Sequence, residues 1–404
     1  MRNPILSVLS IKSFSFLMLS ELCSQIAMNL LNFVLLILVF NMVRSSIAVS
    51  GVILAFTIPA LLFGILAGIY VDRWEKKHVL FYTNVLRALF VIPLFFLNTN
   101  LFAIYSITFA VSLVTQFFIP AEAPMIPLIV RKELLLSANA LFSMGIFASI
   151  LIAYAISGPF LLFFGESNGF IVISIFFLLS SLFAYLIKTM RKERAPAGER
   201  RAITSMKKDL LNTLYLLRKL KKISQALFIL TFLQTLILTI AVVGPGFAED
   251  ILGIRVEEFP VLFIAPAVVG IGFAAFVLGN YFHKSSRKKM VRLGLFIMGA
   301  VLLISPYASS YRGYNLLHIM AIMSFIMGIA FALIFIPSNT VLQEESTDEM
   351  RGKVYGFLNT LVGGVSIIPV LAVGSIADAF GVAKVLSVMG IIILVISQFR
   401  LSLK

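Results

Sequence analysis

Apolar runs long enough to cross a bilayer recur along the whole of this 404-residue chain. A spanning helix needs about 20 apolar residues, and hydrophobic residues make up 60% of the sequence against 13% charged. A soluble core could not cover so much apolar surface, and the mean hydropathy is +1.04. We therefore predict an all-α integral membrane protein with twelve transmembrane helices. The predicted spans are 14–43, 47–71, 78–97, 101–127, 139–164, 169–188, 224–247, 259–282, 290–308, 314–342, 353–377 and 381–400.

Lys and Arg are distributed unevenly between the loops, and this asymmetry predicts the orientation. With both termini inside, cytoplasmic segments hold 28 of the 33 basic residues. Extracytoplasmic loops hold four, Arg44, Arg255, Arg312 and Lys384, and Arg87 lies inside a span. The pattern favours an N-in/C-in, multi-pass protein of the cell membrane. The net charge of +15 then reflects the cytoplasmic face and its contact with anionic membrane lipid, not binding to nucleic acid.

The chain lacks the residue patterns of the common catalytic sites. Cys23 is the only cysteine, and His78, His283 and His318 show no metal-ligand spacing. No phosphate-binding loop and no nucleophile–base pair is present in the sequence. We predict that the chain is not an enzyme and holds no metal and no cofactor.

A charged turn interrupts the apolar sequence between the second and third predicted spans. Gly68, Asp72, Arg73, Lys76 and Lys77 follow the spacing G-x-x-x-D-R-x-x-K-K within GILAGIYVDRWEKKHVL. Glycine lets a neighbouring backbone approach closely, and the three basic residues favour the cytoplasmic side. The aspartate can cap a helix N-terminus or pair with a cation. We expect a tight helical hairpin that forms part of a cytoplasmic gate.

The longest polar stretch divides the chain near its middle. We predict an N-terminal six-helix bundle over 1–188, a cytoplasmic linker over 189–222 and a C-terminal six-helix bundle over 223–404. Apolar residues at helical spacing among lysines over 205–223 indicate an amphipathic helix on the inner leaflet, or else a solvated tether. A sequence weakly similar to the hairpin motif, GNYFHKSSRKK, begins at Gly279. Two related halves with a site where they meet are the usual architecture of a transporter.

Polar residues line one face of the first predicted span. Glu21, Gln25, Asn29 and Asn32 are spaced by four, four and three residues. Such a stripe in a membrane helix faces protein or water and not lipid. We interpret it as part of a cavity in which Glu21 binds a proton or cation; a structural hydrogen-bond seam between helices is the alternative.

Two further ionisable residues lie inside spans of the N-terminal half. Arg87 is in the third span and Glu122 in the fourth. Because an unpaired buried Arg is costly, we expect a carboxylate partner, either Glu21 or Glu122. The pair is interpreted either as a protonation-controlled switch or as a permanent structural contact.

Other polar features divide between structural and functional interpretations. Gly158-Pro159 predicts a kink in the fifth span. Gln234, Thr235, Asn339 and Asn359 are interpreted mainly as hydrogen-bonding contacts between helices. The acidic loop QEESTDEMRGKVYG contains Arg351, which Asp72 could reach in a cytoplasmic latch; a solvated charged turn is the alternative.

Several of these stretches resemble a known family. The hairpin resembles the loop between helices 2 and 3 of the major facilitator superfamily, with Glu75 where a glycine usually follows the Asp-Arg pair. FFIPAEAPMIPLIVRKELLLSANAL, IPSNTVLQEESTDEMRGKVYGFLN and GSIADAFGVAKVL resemble its enterobactin- and macrolide-exporter branch. Glu122 stands where relatives usually have Arg after Pro-Ala, and Gly158-Pro159 resembles a reduced antiporter motif.

The resemblance implies a secondary transporter that exports a small amphipathic molecule, such as a drug, macrolide or siderophore. We expect the chain to act as a monomer. Coupling to protons by alternating access is implied. From the residues themselves we expect Glu21 to be the coupling acid, with Arg87 and Glu122 as a second network. Import remains open, because a fold does not fix the direction of transport. A lipid flippase, and a membrane receptor or assembly subunit that transports nothing, are the alternatives.

Overall fold

A computed structural model describes residues 4–71, 73–189, 221–281, 286–310, 314–346 and 348–398. Within these ranges the chain is helical, and no strand occurs. Almost all of the predicted linker, and with it the predicted amphipathic helix, lies outside them, as does Asp72.

Fourteen α-helices make up most of the described chain. They are α1 (Pro4–Leu9), α2 (Lys12–Val43), α3 (Ser46–Val71), α4 (Lys76–Val91), α5 (Leu94–Leu97), α6 (Leu101–Ile129), α7 (Leu135–Leu186), α8 (Lys221–Gly246), α9 (Ala265–Tyr281), α10 (Arg287–Ile304), α11 (Tyr314–Glu344), α12 (Asp348–Val365), α13 (Ile367–Phe380) and α14 (Val382–Gln398). Five-residue π-helical segments at Phe247–Ile251 and Pro260–Ile264 flank the turn between α8 and α9.

The helices agree with the predicted spans. Ten helical segments of the described residues are long and apolar enough to cross a membrane. Two shorter apolar segments, Ser137–Ile150 and Val382–Gln398, overlap the predicted fifth and twelfth spans. Each of the twelve predicted spans therefore has an apolar helical counterpart among the described residues.

Helix α7 contains two predicted spans joined at a glycine. An unbroken helix of 52 residues would be about 78 Å long, far more than a bilayer is thick. The backbone leaves helical angles at Gly165, where φ is 71° and ψ is 175°. A positive φ suits glycine because it has no Cβ. The interruption therefore lies between the predicted fifth and sixth spans, and Gly158-Pro159, where the sequence predicts a kink, both lie within the helix.

The chain divides into two compact units. The first consists of Met1–Met42 and Ala55–Glu199, and the second of Val43–Leu54 and Arg200–Lys404. In the first unit, apolar side chains of α2, α4, α6 and α7 form a core around Phe14, Leu80, Phe118 and Ile126. Paired serines hold α2 to α7, since Ser20 and Ser180 each donate to the other's backbone carbonyl, at 2.9 and 2.7 Å.

Candidate functional site

Arg87 on α4 is a buried charged side chain of the first unit, with 1% of its surface exposed. Its Nη1 donates to the Ser24 hydroxyl at 2.9 Å and to Asn84 Oδ1 at 3.3 Å. The guanidinium also lies 4.1 Å from the ring centroid of Phe118 and 5.7 Å from that of Phe177. Hydrogen bonds and ring faces thus stabilise a charge that would be costly to bury alone.

Two carboxyl groups share this environment. Glu21 on α2 is 1% exposed and Glu122 on α6 is 8% exposed. Both lie within electrostatic range of Arg87 and of each other. Glu21 accepts a hydrogen bond from Gln25 Nε2 at 2.8 Å. We call Glu21, Arg87 and Glu122 the buried charge cluster.

The cluster does not contain the direct ion pair that the sequence led us to expect. Among the described residues, no nitrogen of Arg87 lies within 4 Å of a carboxylate oxygen. Arg87 Nε and Nη2 and Glu122 Oε1 are buried without a hydrogen-bond partner in the described part of the chain. Ser24 and Asn84, and not a carboxylate, accept the hydrogen bonds of Arg87 Nη1. Arg87 therefore interacts with Glu21 and Glu122 electrostatically and not through a direct contact.

The predicted polar stripe is a hydrogen-bonded chain on α2. Gln25 bonds Glu21, and Asn29 Nδ2 donates to the Gln25 carbonyl at 2.8 Å. Gln25, Asn29 and Asn32 are half-buried, and Asn32 Oδ1 is a buried atom without a partner among the described residues. The stripe extends the charge cluster along α2, as helical spacing predicted.

Sequence reasoning missed Ser24, Asn84, Phe118 and Phe177. Ser24 follows Glu21 by three residues and Asn84 precedes Arg87 by three, so both lie on the faces already identified. Helical spacing from the two ionisable residues would have found them. The two phenylalanines could not be chosen from the 38 in the chain, because only tertiary packing distinguishes them.

The predicted gate motif forms a turn between α3 and α4. Lys76 begins α4 and its Nζ donates to the Trp74 carbonyl at 3.0 Å, while Arg73 lies in the turn itself. Lys77 Nζ lies 5.2 Å from the ring centroid of Tyr185. No described atom outside its own helix lies within 4 Å of a Cβ built on Gly68, so the expected close approach of a neighbouring backbone is not found among the described residues.

The acidic loop of the C-terminal half pairs with basic residues of its own unit. Glu344 binds the Arg287 guanidinium through two contacts of 2.9 and 2.8 Å. Glu345 lies 2.6 Å from Lys222 Nζ. Arg351 lies in the first turn of α12, and its predicted contact with Asp72 falls outside the described residues.

An all-helical chain of apolar, membrane-length helices with charge buried inside one unit is a multi-pass membrane protein. The sequence profile of the Major Facilitator Superfamily matches residues 17–370. The chain belongs to this superfamily, whose members are transporters of small molecules and not enzymes.

Relatives and solved structures agree with this assignment. The chain is 22% identical over 382 residues to the uncharacterized MFS-type transporter YfiS of Bacillus subtilis (strain 168), covering 91% of this chain and 87% of YfiS. The nucleoside transporter NupG superposes with a TM-score of 0.76 at 12% identity, covering 96% of this chain and 100% of NupG. A bacterial homolog of the human lysosomal transporter Spinster, in an inward-facing and occupied conformation, gives a TM-score of 0.70 at 12% identity over 98% and 96% of the two chains. At these identities the structures show the fold alone.

Proposed function

We propose that this transporter exports a small amphipathic molecule across the cell membrane in exchange for protons. The observation that carries the proposal is the buried charge cluster, in which two carboxyl groups share one guanidinium without a direct ion pair. The proposed coupling residues are Glu21, Glu122 and Arg87, with Gln25, Asn29 and Asn32 lining the path to them.

The physical argument concerns the cost of buried charge. A carboxylate inside a membrane protein is costly unless a cation or hydrogen-bond donors compensate it. Arg87 supplies one positive charge for two acids, and only its Nη1 is hydrogen-bonded, to Ser24 and Asn84. Binding of one proton to either acid removes the excess negative charge. This protonation changes the electrostatic interactions among α2, α4 and α6 at the same time. A coupled transporter requires such a link between proton binding and helix positions.

The substrate class rests on sequence resemblance. The stretches at 117–141 and 336–359 and the one that begins at Gly374 resemble the enterobactin- and macrolide-exporter branch, which favours a drug, macrolide or siderophore. NupG is a nucleoside transporter by name, and its fold is compatible with many substrates.

We further propose that the chain acts as a monomer. Gly68, Asp72, Arg73, Lys76, Lys77 and Arg351 would form its cytoplasmic gate, and Gly158-Pro159 its antiporter motif.

The test is efflux of a fluorescent amphipathic dye from proteoliposomes under an imposed proton gradient. We expect gradient-dependent flux in the native protein, and its loss in Glu21→Gln and Glu122→Gln. Glu166→Gln is the matched control, because Glu166 is a half-buried acid of the same unit that bonds Asn41 at 3.4 Å, outside the cluster. Each variant is first checked for folding by size-exclusion chromatography.

Two outcomes would contradict the coupling role. Unchanged flux in Glu21→Gln and Glu122→Gln would leave the cluster as a structural contact. Equal loss in Glu166→Gln would show that any removal of an acid from this unit impairs the protein. Scrambling of a fluorescent phospholipid without dye efflux would instead favour the flippase alternative.

A further inference from the structure

The second unit contains a groove of about 250 Å³ between the start of α10 and the end of α14. Six residues line it: Lys289, Arg292, Leu293 and Phe296 of α10, and Ser397 and Gln398 of α14. The four residues of α10 are spaced by three, one and three positions, so they share one face of that helix. This face carries two cations near the start of α10 and two apolar side chains farther along it.

The two cations are not balanced by a carboxylate. Arg292 donates from Nε and Nη2 to the last two carbonyls of α14, at 3.0 and 3.1 Å, and this caps the helix without supplying a negative ion. Lys289 is exposed, and no carboxylate of the described residues lies within 4 Å of either cation. Glu344, which contacts the start of α10, is paired with Arg287. The groove therefore favours an anionic occupant.

The apolar part of the same face is also exposed. Leu293 is 51% exposed and Phe296 is 49% exposed. Both lie in Arg287–Tyr307, a segment long and apolar enough to cross a membrane. The helix rises about 10 Å from Lys289 to Phe296, so the cations lie toward the end of the span and the apolar side chains deeper in it. Basic residues at the end of a span extend their charged heads to the level of the lipid headgroups.

The position of the first unit that corresponds in the sequence is filled by aromatic rings. Phe81 of α4 precedes Arg292 by 211 residues, the offset between the hairpin motif and the similar sequence in the second half, and Tyr185 of α7 precedes Ser397 by 212. The ring centroids of Phe81 and Tyr185 are 5.8 Å apart, and Lys77 Nζ lies 5.2 Å from the centroid of Tyr185. An arginine and a serine replace these two rings in the second unit, which has a cationic groove where the first has packed rings.

We propose that this groove binds an anionic phospholipid, whose phosphate contacts Lys289 and Arg292 and one of whose acyl chains lies along Leu293 and Phe296. The charge distribution of the chain predicts that this end of the unit is cytoplasmic, and the cytoplasmic leaflet carries anionic lipid. The groove is smaller than a phospholipid, so the rest of the lipid stays in the bilayer. A lipid bound here is a ligand and not the transported molecule, so this proposal can fail while the proposed function stands, and the reverse.

The test uses a single tryptophan as a reporter. Trp74 is the only tryptophan of the chain, so Trp74→Phe combined with Phe296→Trp places the sole indole on the groove. The protein is reconstituted in vesicles of equimolar phosphatidylglycerol and phosphatidylcholine, with bromine on the acyl chains of one lipid at a time, because bromine quenches indole fluorescence at short range. We expect an association constant for phosphatidylglycerol about fivefold or more above that for phosphatidylcholine.

Removal of single charges then tests the phosphate contact. In the reporter background, Lys289→Gln should lower the preference for phosphatidylglycerol about fivefold, the effect of one basic residue near an anionic membrane surface. Lys288→Gln is the matched control, since it removes the same charge one residue away at a position that does not line the groove, and it should change the preference less than about twofold. Arg292→Gln should also lower the preference, and Arg292→Lys, which keeps the charge, should retain it.

Three results would overturn the proposal. Equal association constants for the two lipids would make the groove a surface that any bilayer lipid covers. An equal loss of preference in Lys288→Gln and Lys289→Gln would mean that the general surface potential attracts the lipid and that no phosphate is bound. Loss of the preference on addition of glycerol phosphate, at unchanged ionic strength, would assign the site to a soluble anion.

Discussion

The carboxylate of Asp378 accepts a hydrogen bond from the backbone nitrogen of Ser46 at 2.6 Å, so a residue of α13 caps the first turn of α3. The same carboxylate accepts from the nitrogen of Ile47 at 3.2 Å and from the Ser45 hydroxyl. A negative group at a helix N-terminus satisfies free N–H donors and interacts favourably with the helix dipole. Residues 43–54 belong to the second unit, and this cap helps to explain why.

Removal of this cap should destabilise the second unit. We expect Asp378→Ala to lower the free energy of unfolding by about 1–2 kcal/mol, the usual cost of a lost N-cap. The measurement is unfolding by sodium dodecyl sulfate in mixed micelles, followed by circular dichroism. Asp250→Ala is the control, because Asp250 is exposed. Equal stability of the two variants would mean that the cap contributes nothing measurable.

Helices α3 and α13 also touch at a glycine. A Cβ built on Gly374 would lie 2.9 Å from Ile47 Cα, and closer still to the Ser50 hydroxyl. We expect Gly374→Ala to cost about 1–3 kcal/mol of unfolding free energy, because an overpacked contact forces the backbones apart. Gly356→Ala should be neutral or slightly stabilising in the same assay, since no described atom outside its own helix lies within 4 Å of its Cβ. An unchanged free energy of unfolding in Gly374→Ala would show that α3 and α13 can move apart at this contact without cost.

Stacking between Arg87 and Phe118 should be measurable as a coupling energy. In a double-mutant cycle of Arg87→Lys and Phe118→Leu, we expect about 0.5–2 kcal/mol of coupling in unfolding free energy, in the range for a desolvated cation–π contact. Lysine keeps the charge but not the planar group that lies over the ring. Arg131→Lys, at an exposed position, supplies the reference for the change of residue type. Additive effects would show that the ring only fills space.

The ion pairs of the acidic loop should contribute little to the stability of the protein. Arg287–Glu344 and Lys222–Glu345 are partly exposed. We expect Glu344→Gln to lower the free energy of unfolding by less than about 1 kcal/mol, and high salt to abolish the difference. The measurement is the same unfolding assay at low and high concentrations of sodium chloride. A larger loss that salt does not reduce would indicate a structural role for this loop.

The spans were predictable because membrane helices follow a local rule of length and hydropathy. The stripe from Glu21 to Asn32 was also predictable, since helical spacing alone defines its face. The partners of Arg87 were not, because the choice between a carboxylate and Ser24 with Asn84 depends on how α2 and α4 pack. The cap at Ser46 joins residues 332 positions apart, and no local pattern indicates it. At Gly68 the motif predicted a close contact that the described residues do not make.

The buried charge cluster has an electrical consequence. With both carboxyl groups ionised, the charges of Glu21, Glu122 and Arg87 sum to minus one, and a single bound proton makes the sum zero. A unit charge carried across the full membrane potential experiences about 2.3 kcal/mol per 100 mV. The membrane voltage therefore exerts a force on the deprotonated cluster and none on its singly protonated form. Under the proposed coupling, and with an uncharged substrate, the transport step taken with the cluster deprotonated would depend on voltage, and the step taken with it singly protonated would not.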